Sequence, residues 1–290
     1  SIMMRKRAVG KIETEGDTLL YKITGEGIPL LMIAGGGGNG DFYLPLADEL
    51  GDEFRVITYD RRANGRSTMH NPEEFHLAQQ ARDAAAVLSA AGERDAIVFG
   101  NSSGAVIALE MLRAFPEKVR LLIAHEAPLA KFHPETEKWC SFFKACEKMS
   151  FGIGGPSLAA AKFFFGIEVP ALKMMTAQMR GVKYLKNEPP VEDSSAIPSK
   201  TASEYLMRQE LVKVTHYLPD MDALKRNADK CVVAVGAYAK EHNTFLYNCS
   251  TEFARKLDKE CAVVPGHHGS FMDDAEAWAV CMRKNIHCFL

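Results

Sequence analysis

The chain has no CxxC pair, no long basic run and no stretch of apolar residues long enough to span a bilayer. Each absence closes off a class of function. Seven cysteines, Cys140, Cys146, Cys231, Cys249, Cys261, Cys281 and Cys288, form an odd, scattered set without metal-ligand spacing. Three lie in or beside apolar runs, where a reduced thiol behaves as a small hydrophobe, so a disulfide-free, cytoplasmic protein is expected. With 35 Lys and Arg against 37 Asp and Glu, the formal charge is -2, which disfavours nucleic acid or an anionic membrane as the main partner. A small-molecule substrate fits better. The opening "SIMMRKRAVGKIETEGD" is basic but has no apolar run behind it, unlike a secretion signal. Without such a signal, the N-x-S matches at Asn101 and Asn248 are read as chance. Internal repeats and low-complexity tracts are also missing, which excludes a solenoid. The oligomeric state is left open, a homodimer included.

What is present is alternation. "RAVGKIETE" and "TLLYKIT" read as an opening antiparallel pair. "PLLMIA", "FRVITYD", "AIVFG", "VRLLIAH", "CVVAVG" and "ECAVVPG" then read as buried strands, the pattern of a parallel sheet covered on both faces. Helices lie between them. "NPEEFHLAQQARDAAAVLSAAG" has Pro72 in its first turn, an apolar stripe through Leu77, Ala81, Ala84, Ala85 and Leu88, and Gly92 as a stop. "DDAEAWAVCMRK" reads as a last helix. Between residues 129 and 226 the strand count is interrupted by a helical region, read as a cap inserted into an α/β core of residues 1–128 and 227–290. Phe142, Phe143, Phe163, Phe164, Phe165, Met174, Met175, Met179 and Met207 make it aromatic and Met-rich, suited to packing or to lining an adaptable apolar pocket.

The chemistry lies at the strand ends. Gly100-Asn101-Ser102-Ser103-Gly104 joins the strand "AIVFG" to the helix "AVIALEMLRAF" and matches G-x-S-x-G in its strand-turn-helix setting. Only the central residue of that pattern sits on the sharp turn, so Ser102 is the candidate nucleophile and Ser103 supplies a backbone N–H. Gly35 to Gly38 follow the strand "PLLMIA" and let backbone N–H groups approach a ligand, as an oxyanion hole requires; Gly36 is the preferred donor, with Gly35 beside it. A phosphate loop is disfavoured because no GK[ST] follows. "DRRANGRS" after the next strand is read as a loop without a catalytic role. In "PGHHGSF", His268 is the candidate base and His267 a neighbour that lines or shapes the site.

In this order the glycine-rich loop, "DRRANGRS", the serine turn and "PGHHGSF" resemble the α/β-hydrolases, whose chain order is nucleophile, acid, histidine. The resemblance implies an α/β-hydrolase fold with a mostly parallel central sheet, helices on both faces and an inserted helical cap. The sequence departs from it at the acid, since the position expected after the penultimate strand holds Ala239. Glu241 lies slightly late in that loop. Glu126, in "LLIAHEAP", follows the strand after the serine helix and emerges on the same sheet edge as Ser102, so it is preferred. "GNSSGA" and "HEAP" further resemble the fungal zearalenone lactonases, which implies Ser102, Glu126 and His268 as a triad, with Gly35 or Gly36 and Ser103 as the oxyanion hole. No counterpart to the substrate-contacting tryptophan of those enzymes is identifiable. Trp139 is the only tryptophan in the cap, and with Phe143 and His267 it is the candidate pocket set.

The expected activity is hydrolysis of an ester or lactone bond in a bulky, largely apolar small molecule, with no metal or organic cofactor. Two alternatives stay open: a ligand-binding receptor on the same fold, and hydrolysis of a C–C bond or a methyl ester. Epoxide and haloalkane hydrolysis are disfavoured because relatives with those activities use Asp where this chain has Ser102.

Overall fold

A computed structural model describes residues 4–290; the first three residues of the basic opening stretch lie outside it. All eight expected strands form one sheet: β1 (Arg7–Thr14), β2 (Asp17–Thr24), β3 (Ile28–Ile33), β4 (Phe54–Tyr59), β5 (Ala96–Asn101), β6 (Val119–His125), β7 (Cys231–Gly236) and β8 (Ala262–Val264). Their spatial order is β1-β2-β4-β3-β5-β6-β7-β8. β1 pairs with β2, and β2 with β4, in antiparallel fashion, while every pair from β4 to β8 is parallel. The fold is that of the α/β-hydrolases.

Residues alternate between the two faces of a strand, and in β3 to β7 both faces are buried. The edge strands β1 and β8 are partly open, with Val263 of β8 exposed against the expectation of a buried strand. Leu31, Ile33, Val98, Leu122 and Val233 belong to one core layer. Leu30, Met32, Ile97, Phe99, Leu121, Ile123 and Ala234 belong to the other. That two-sided burial explains why the strands read as continuous apolar runs. The first layer is covered by α2 (Leu77–Ala90) and α3 (Ser103–Ala114), and the second by α1 (Leu44–Leu50).

Between β6 and β7 the elements are helical: α4 (Thr136–Ser150), α5 (Gly155–Gly166), α6 (Ala171–Leu185), α7 (Ser199–Tyr205), a π-helical turn (Leu206–Glu210), α8 (Leu211–Thr215) and α9 (Met221–Lys225). After β7 come α10 (Ala237–Glu241) and α11 (Phe245–Lys256), which covers the first core layer, and after β8 come α12 (Ser270–Asp273) and α13 (Ala275–His287), which cover the second.

One helix start differs from expectation. α2 begins at Leu77, not near Pro72, and His76 is extended at φ -127 and ψ 117. Tertiary contacts hold the preceding turn out of the helix: the Tyr205 hydroxyl donates to the Glu74 carbonyl at 2.6 Å, Lys213 Nζ donates to the Phe75 carbonyl at 2.7 Å, and Phe75 is buried against Tyr205. Local propensity yields to anchoring by the helical insertion.

The turn between β5 and α3 depends on two close approaches. A methyl group on Gly104 would fall onto the Ile33 carbonyl oxygen, and one on Gly100 onto that of Gly104. Gly92, by contrast, has a φ of +85 with open space around its Cβ position. Gly104→Ala should therefore destabilise by roughly 3 kcal/mol or more, through overpacking against backbone, whereas Gly92→Ala should cost only about 1 kcal/mol of conformational strain. Urea denaturation of both variants measures the difference.

Candidate functional site

Three strands deliver the site. Ser102 follows β5 directly, at φ 58 and ψ -122, a conformation that non-glycine residues rarely hold. Strain of this kind costs about 1–3 kcal/mol and persists only where surroundings enforce it. Here the Ser102 N–H is tied to the His125 carbonyl at 3.0 Å, and α3 starts at the next residue. Ser103 is therefore the first residue of that helix, where a backbone N–H has no intrahelical acceptor.

Glu126 follows β6 with a φ of 50, its N–H bonded to the Ala234 carbonyl of β7 at 3.0 Å. That single left-handed residue ends the strand and places the carboxylate between β6 and β7. Glu126 is fully buried, and both its oxygens are engaged. Oε1 lies 2.8 Å from His268 Nδ1, and Oε2 accepts the Gly236 N–H at 2.9 Å. A methyl group on Gly236 would come within 2.6 Å of the Gly266 carbonyl and 3.2 Å of Glu126 Oε2, so glycine is required for this approach. Burial by itself would raise the carboxyl pKa; the imidazoles of His125 and His268 and the Gly236 N–H outweigh it and hold the value at about 2. The group is a carboxylate at neutral pH. A carboxylate only accepts, so His268 carries its proton on Nδ1 and leaves the Nε2 lone pair free.

Ser102 and His268 line one cavity of about 290 Å³ together with Ala34, Gly35 and Gly36. No hydrogen bond joins Ser102 Oγ to His268 Nε2 among the described residues, a common state of such pairs without substrate. The glycine-rich loop packs directly on the serine: a methyl group on Gly35 would meet the Asn101 carbonyl at 3.0 Å and Ser102 Cβ at 3.2 Å. Gly36 N–H makes no backbone hydrogen bond among the described residues. Two unspent donors, at Gly36 and Ser103, thus stand on the serine's side of the sheet edge. The rest of the lining is mostly apolar, with Phe42, Phe163, Phe164, Met174, Phe271 and Met272 prominent.

Three candidate pocket residues lie elsewhere. Trp139 and Phe143 are buried at the base of the helical region, where the Trp139 ring packs, tilted by 40°, 4.4 Å from that of Phe245 on α11; neither is part of the pocket lining. His267 is turned away from the cavity: its Nδ1 accepts the Gly269 N–H at 3.1 Å, and its own N–H donates to Ser270 Oγ at 2.8 Å, so it shapes the turn that carries His268. Glu241 ends α10 on the exposed surface, away from His268. Of the aromatic and methionine set, Phe163, Phe164 and Met174 reach the cavity, while Phe165, Met175 and Met179 face outward.

An Asn101–His125 pair supports the site and carries no motif signal. Asn101 Nδ2 donates to His125 Nδ1 at 2.8 Å and to the His268 carbonyl at 3.2 Å. His125 must then keep its proton on Nε2, 3.8 Å from Glu126 Oε1 and without a hydrogen-bond partner. Its ring stacks on that of His268, centroids 6.0 Å apart. Burial pushes its pKa down to about 4. Among the described residues no group of three or more His, Cys, Asp or Glu side chains is placed to hold a metal ion. All seven cysteines are unpaired, and no helix among the described residues is long and apolar enough to cross a membrane.

These shifts separate two pH windows. The unfolded chain protonates His125 below about 6.5, the folded chain only near 4, so its contribution is complete above 6.5 and is lost as pH falls between those values. Glu126, whose folded value is depressed, contributes fully above about 4.5 and loses this only as pH falls toward 2. Thermal midpoints should therefore decline from pH 6.5 to 4, with His133, His216 and His267 adding in the same direction because burial lowers each of them. His125→Gln should flatten the decline; an unchanged slope would contradict the assignment.

Comparison with known proteins agrees with this architecture. A family model described as the alpha/beta hydrolase fold matches residues 28–144. An uncharacterized hydrolase, YraK of Bacillus subtilis (strain 168), is 28% identical over 270 residues, covering 90% of each chain. RutD of Azorhizobium caulinodans, provisionally named a carbamate hydrolase, is 42% identical over 105 residues, 36% of this chain and 39% of its own. Among solved structures, a thermophilic esterase from Thermogutta terrifontis superposes with a TM-score of 0.70 at 20% identity, covering 98% of this chain and 99% of its own. Est816, an N-acyl homoserine lactone degrading enzyme, gives 0.69 at 19% identity, covering 95% and 99%. With the serine turn, the buried carboxylate and the histidine already in place on one sheet edge, the chain has the α/β-hydrolase fold and is similar in sequence to hydrolases.

Proposed function

We propose that the protein is a serine hydrolase that cleaves an ester or lactone bond in a bulky, largely apolar small molecule. The observation that carries this reading is the 2.8 Å contact between Glu126 Oε1 and His268 Nδ1, with His268 and Ser102 facing one apolar cavity. In this reading Ser102 Oγ attacks the substrate carbonyl as its proton passes to His268 Nε2, and Glu126 holds the required tautomer and stabilises the imidazolium. The N–H groups of Gly36 and Ser103, with Gly35 shaping the loop, stabilise the tetrahedral oxyanion. Collapse expels the alcohol with the proton from His268, leaving an acyl group on Ser102. Water, deprotonated by the same histidine, then attacks the acyl carbonyl and releases the acid.

The aromatic and Met-rich lining suits an apolar acyl or ring system, and its polar exceptions away from Ser102 are Asn39 and Gln178. The esterase and the lactone-degrading enzyme of the same fold support assaying esters and lactones first. The "GNSSGA" and "HEAP" segments support including zearalenone, a resorcylic lactone. RutD's name supports a carbamate as the control with a different acyl carbonyl.

Chromatographic assays of purified protein against zearalenone, an N-acyl homoserine lactone, a p-nitrophenyl ester and a carbamate test the reading. Loss of an ester or lactone with wild type but not Ser102→Ala is expected; turnover surviving in Ser102→Ala would overturn it. On the accepted substrate, Glu126→Gln should lower kcat by roughly 10³–10⁴-fold, His268→Ala should remove activity, and Glu241→Ala should leave it intact. A large loss in Glu241→Ala with little in Glu126→Gln would reverse the choice of acid.

A further inference from the structure

The Gly35–Gly36 peptide is aimed from behind. In a planar trans peptide the C=O and the following N–H point in opposite directions, so whatever fixes the Gly35 carbonyl directs the Gly36 N–H. Arg61 Nη2 donates to the Gly35 oxygen at 2.8 Å, where the Gly38 N–H also binds at 2.9 Å. Arg61 Nε donates to the Ala34 carbonyl at 2.8 Å, which holds the preceding peptide. The guanidinium is completely buried, and Nη1 reaches Gln80 Oε1 at 3.1 Å.

Its charge is met by a residue from the helical insertion. Glu210, likewise buried, accepts from Arg61 Nη2 at 3.0 and 2.9 Å through both oxygens. Glu210 ends the π-helical turn, and Leu206 begins it. Leu206 closes on the same loop from the other side: a methyl group on Gly36 would come within 3.0 Å of Leu206 Cδ2. An irregular turn in a helix thus presents an acid to the arginine and a hydrophobe to the donor residue.

We propose that Arg61 and Glu210 are a positioning pair that directs the Gly36 N–H toward the oxyanion, and that this donor is aimed only when the helical insertion is seated on the core. The inference rests on the serine hydrolase reading. Neither residue touches substrate. Removing the Glu210 charge leaves a buried cation with only neutral acceptors, the two loop carbonyls, Gln80 and, in Glu210→Gln, the amide oxygen at that position, so the guanidinium shifts and the peptide turns with it.

The test uses the full chain with a p-nitrophenyl ester and, as a mimic of the tetrahedral state, an aliphatic trifluoromethyl ketone. For Glu210→Gln, kcat should fall about 10–100-fold while KM changes less than about threefold. Affinity for the ketone should fall by the same factor as kcat/KM, and Glu210→Asp, which keeps the charge, should recover part of both. Circular dichroism and thermal melting establish that the variants are folded; if Glu210→Gln is not, Glu210→Asp decides on the same readouts, with a kcat loss of about threefold or more expected. A folded variant with unchanged kcat, or with the change confined to KM, would overturn the positioning role while leaving the serine hydrolase reading intact. Absence of Ser102-dependent turnover in wild type would overturn both.

Discussion

Backbone touching backbone at the β5–α3 turn is the constraint on which the site depends. Gly104 lies against the carbonyl of Ile33, Gly100 against that of Gly104, and Gly35 against Asn101 and Ser102. Glycines at these contacts allow β3, β5 and α3 to converge closely enough to force Ser102 into φ 58. The strained turn in turn makes the buried Ser103 the first residue of α3 and brings the glycine-rich loop beside the serine. The proposed nucleophile and the proposed oxyanion donors are thus consequences of one packing arrangement.

The parallel sheet supplies the rest. β5, β6 and β8 run in the same direction, so the residues after them emerge on one edge, and Ser102, Glu126 and His268 meet there although 166 positions separate the first from the last. Glu126 stands after β6 instead of β7, and Gly236 at the end of β7 makes this workable by giving up its Cβ volume and donating its N–H to the carboxylate. The buried charge is therefore fully hydrogen-bonded, which is the condition for keeping a carboxylate in such a place. His125 and Asn101 complete the packing without changing its charge, because burial keeps His125 neutral.

Much of this was legible in the sequence. The inner strands β3 to β7 show as short apolar runs because both faces of the sheet are covered there, and the serine turn is readable because its two glycines answer a steric demand at fixed spacing. Glu126 stood out because an acid at the end of a buried strand has no ordinary packing role. Trp139, Phe143 and His267 were harder to place: aromatic content marks a segment as buried without saying whether a ring faces a cavity or a core. The start of α2 was hidden for a related reason, since Pro72 and two glutamates favour a helix that Tyr205 and Lys213 hold off.

By itself the sequence determined the strand order along the chain, the turn that carries Ser102 and the set of side chains able to serve beside it. These follow from local rules: apolar periodicity, glycine where backbone must approach backbone, and polar residues at strand ends. Tertiary structure alone decided that Glu126 and not Glu241 meets His268, that Phe163, Phe164 and Met174 line the cavity, and that Arg61 pairs with Glu210 across 149 positions of chain. Such choices depend on which surfaces come within a few ångströms after packing, and sequence spacing carries no record of that distance.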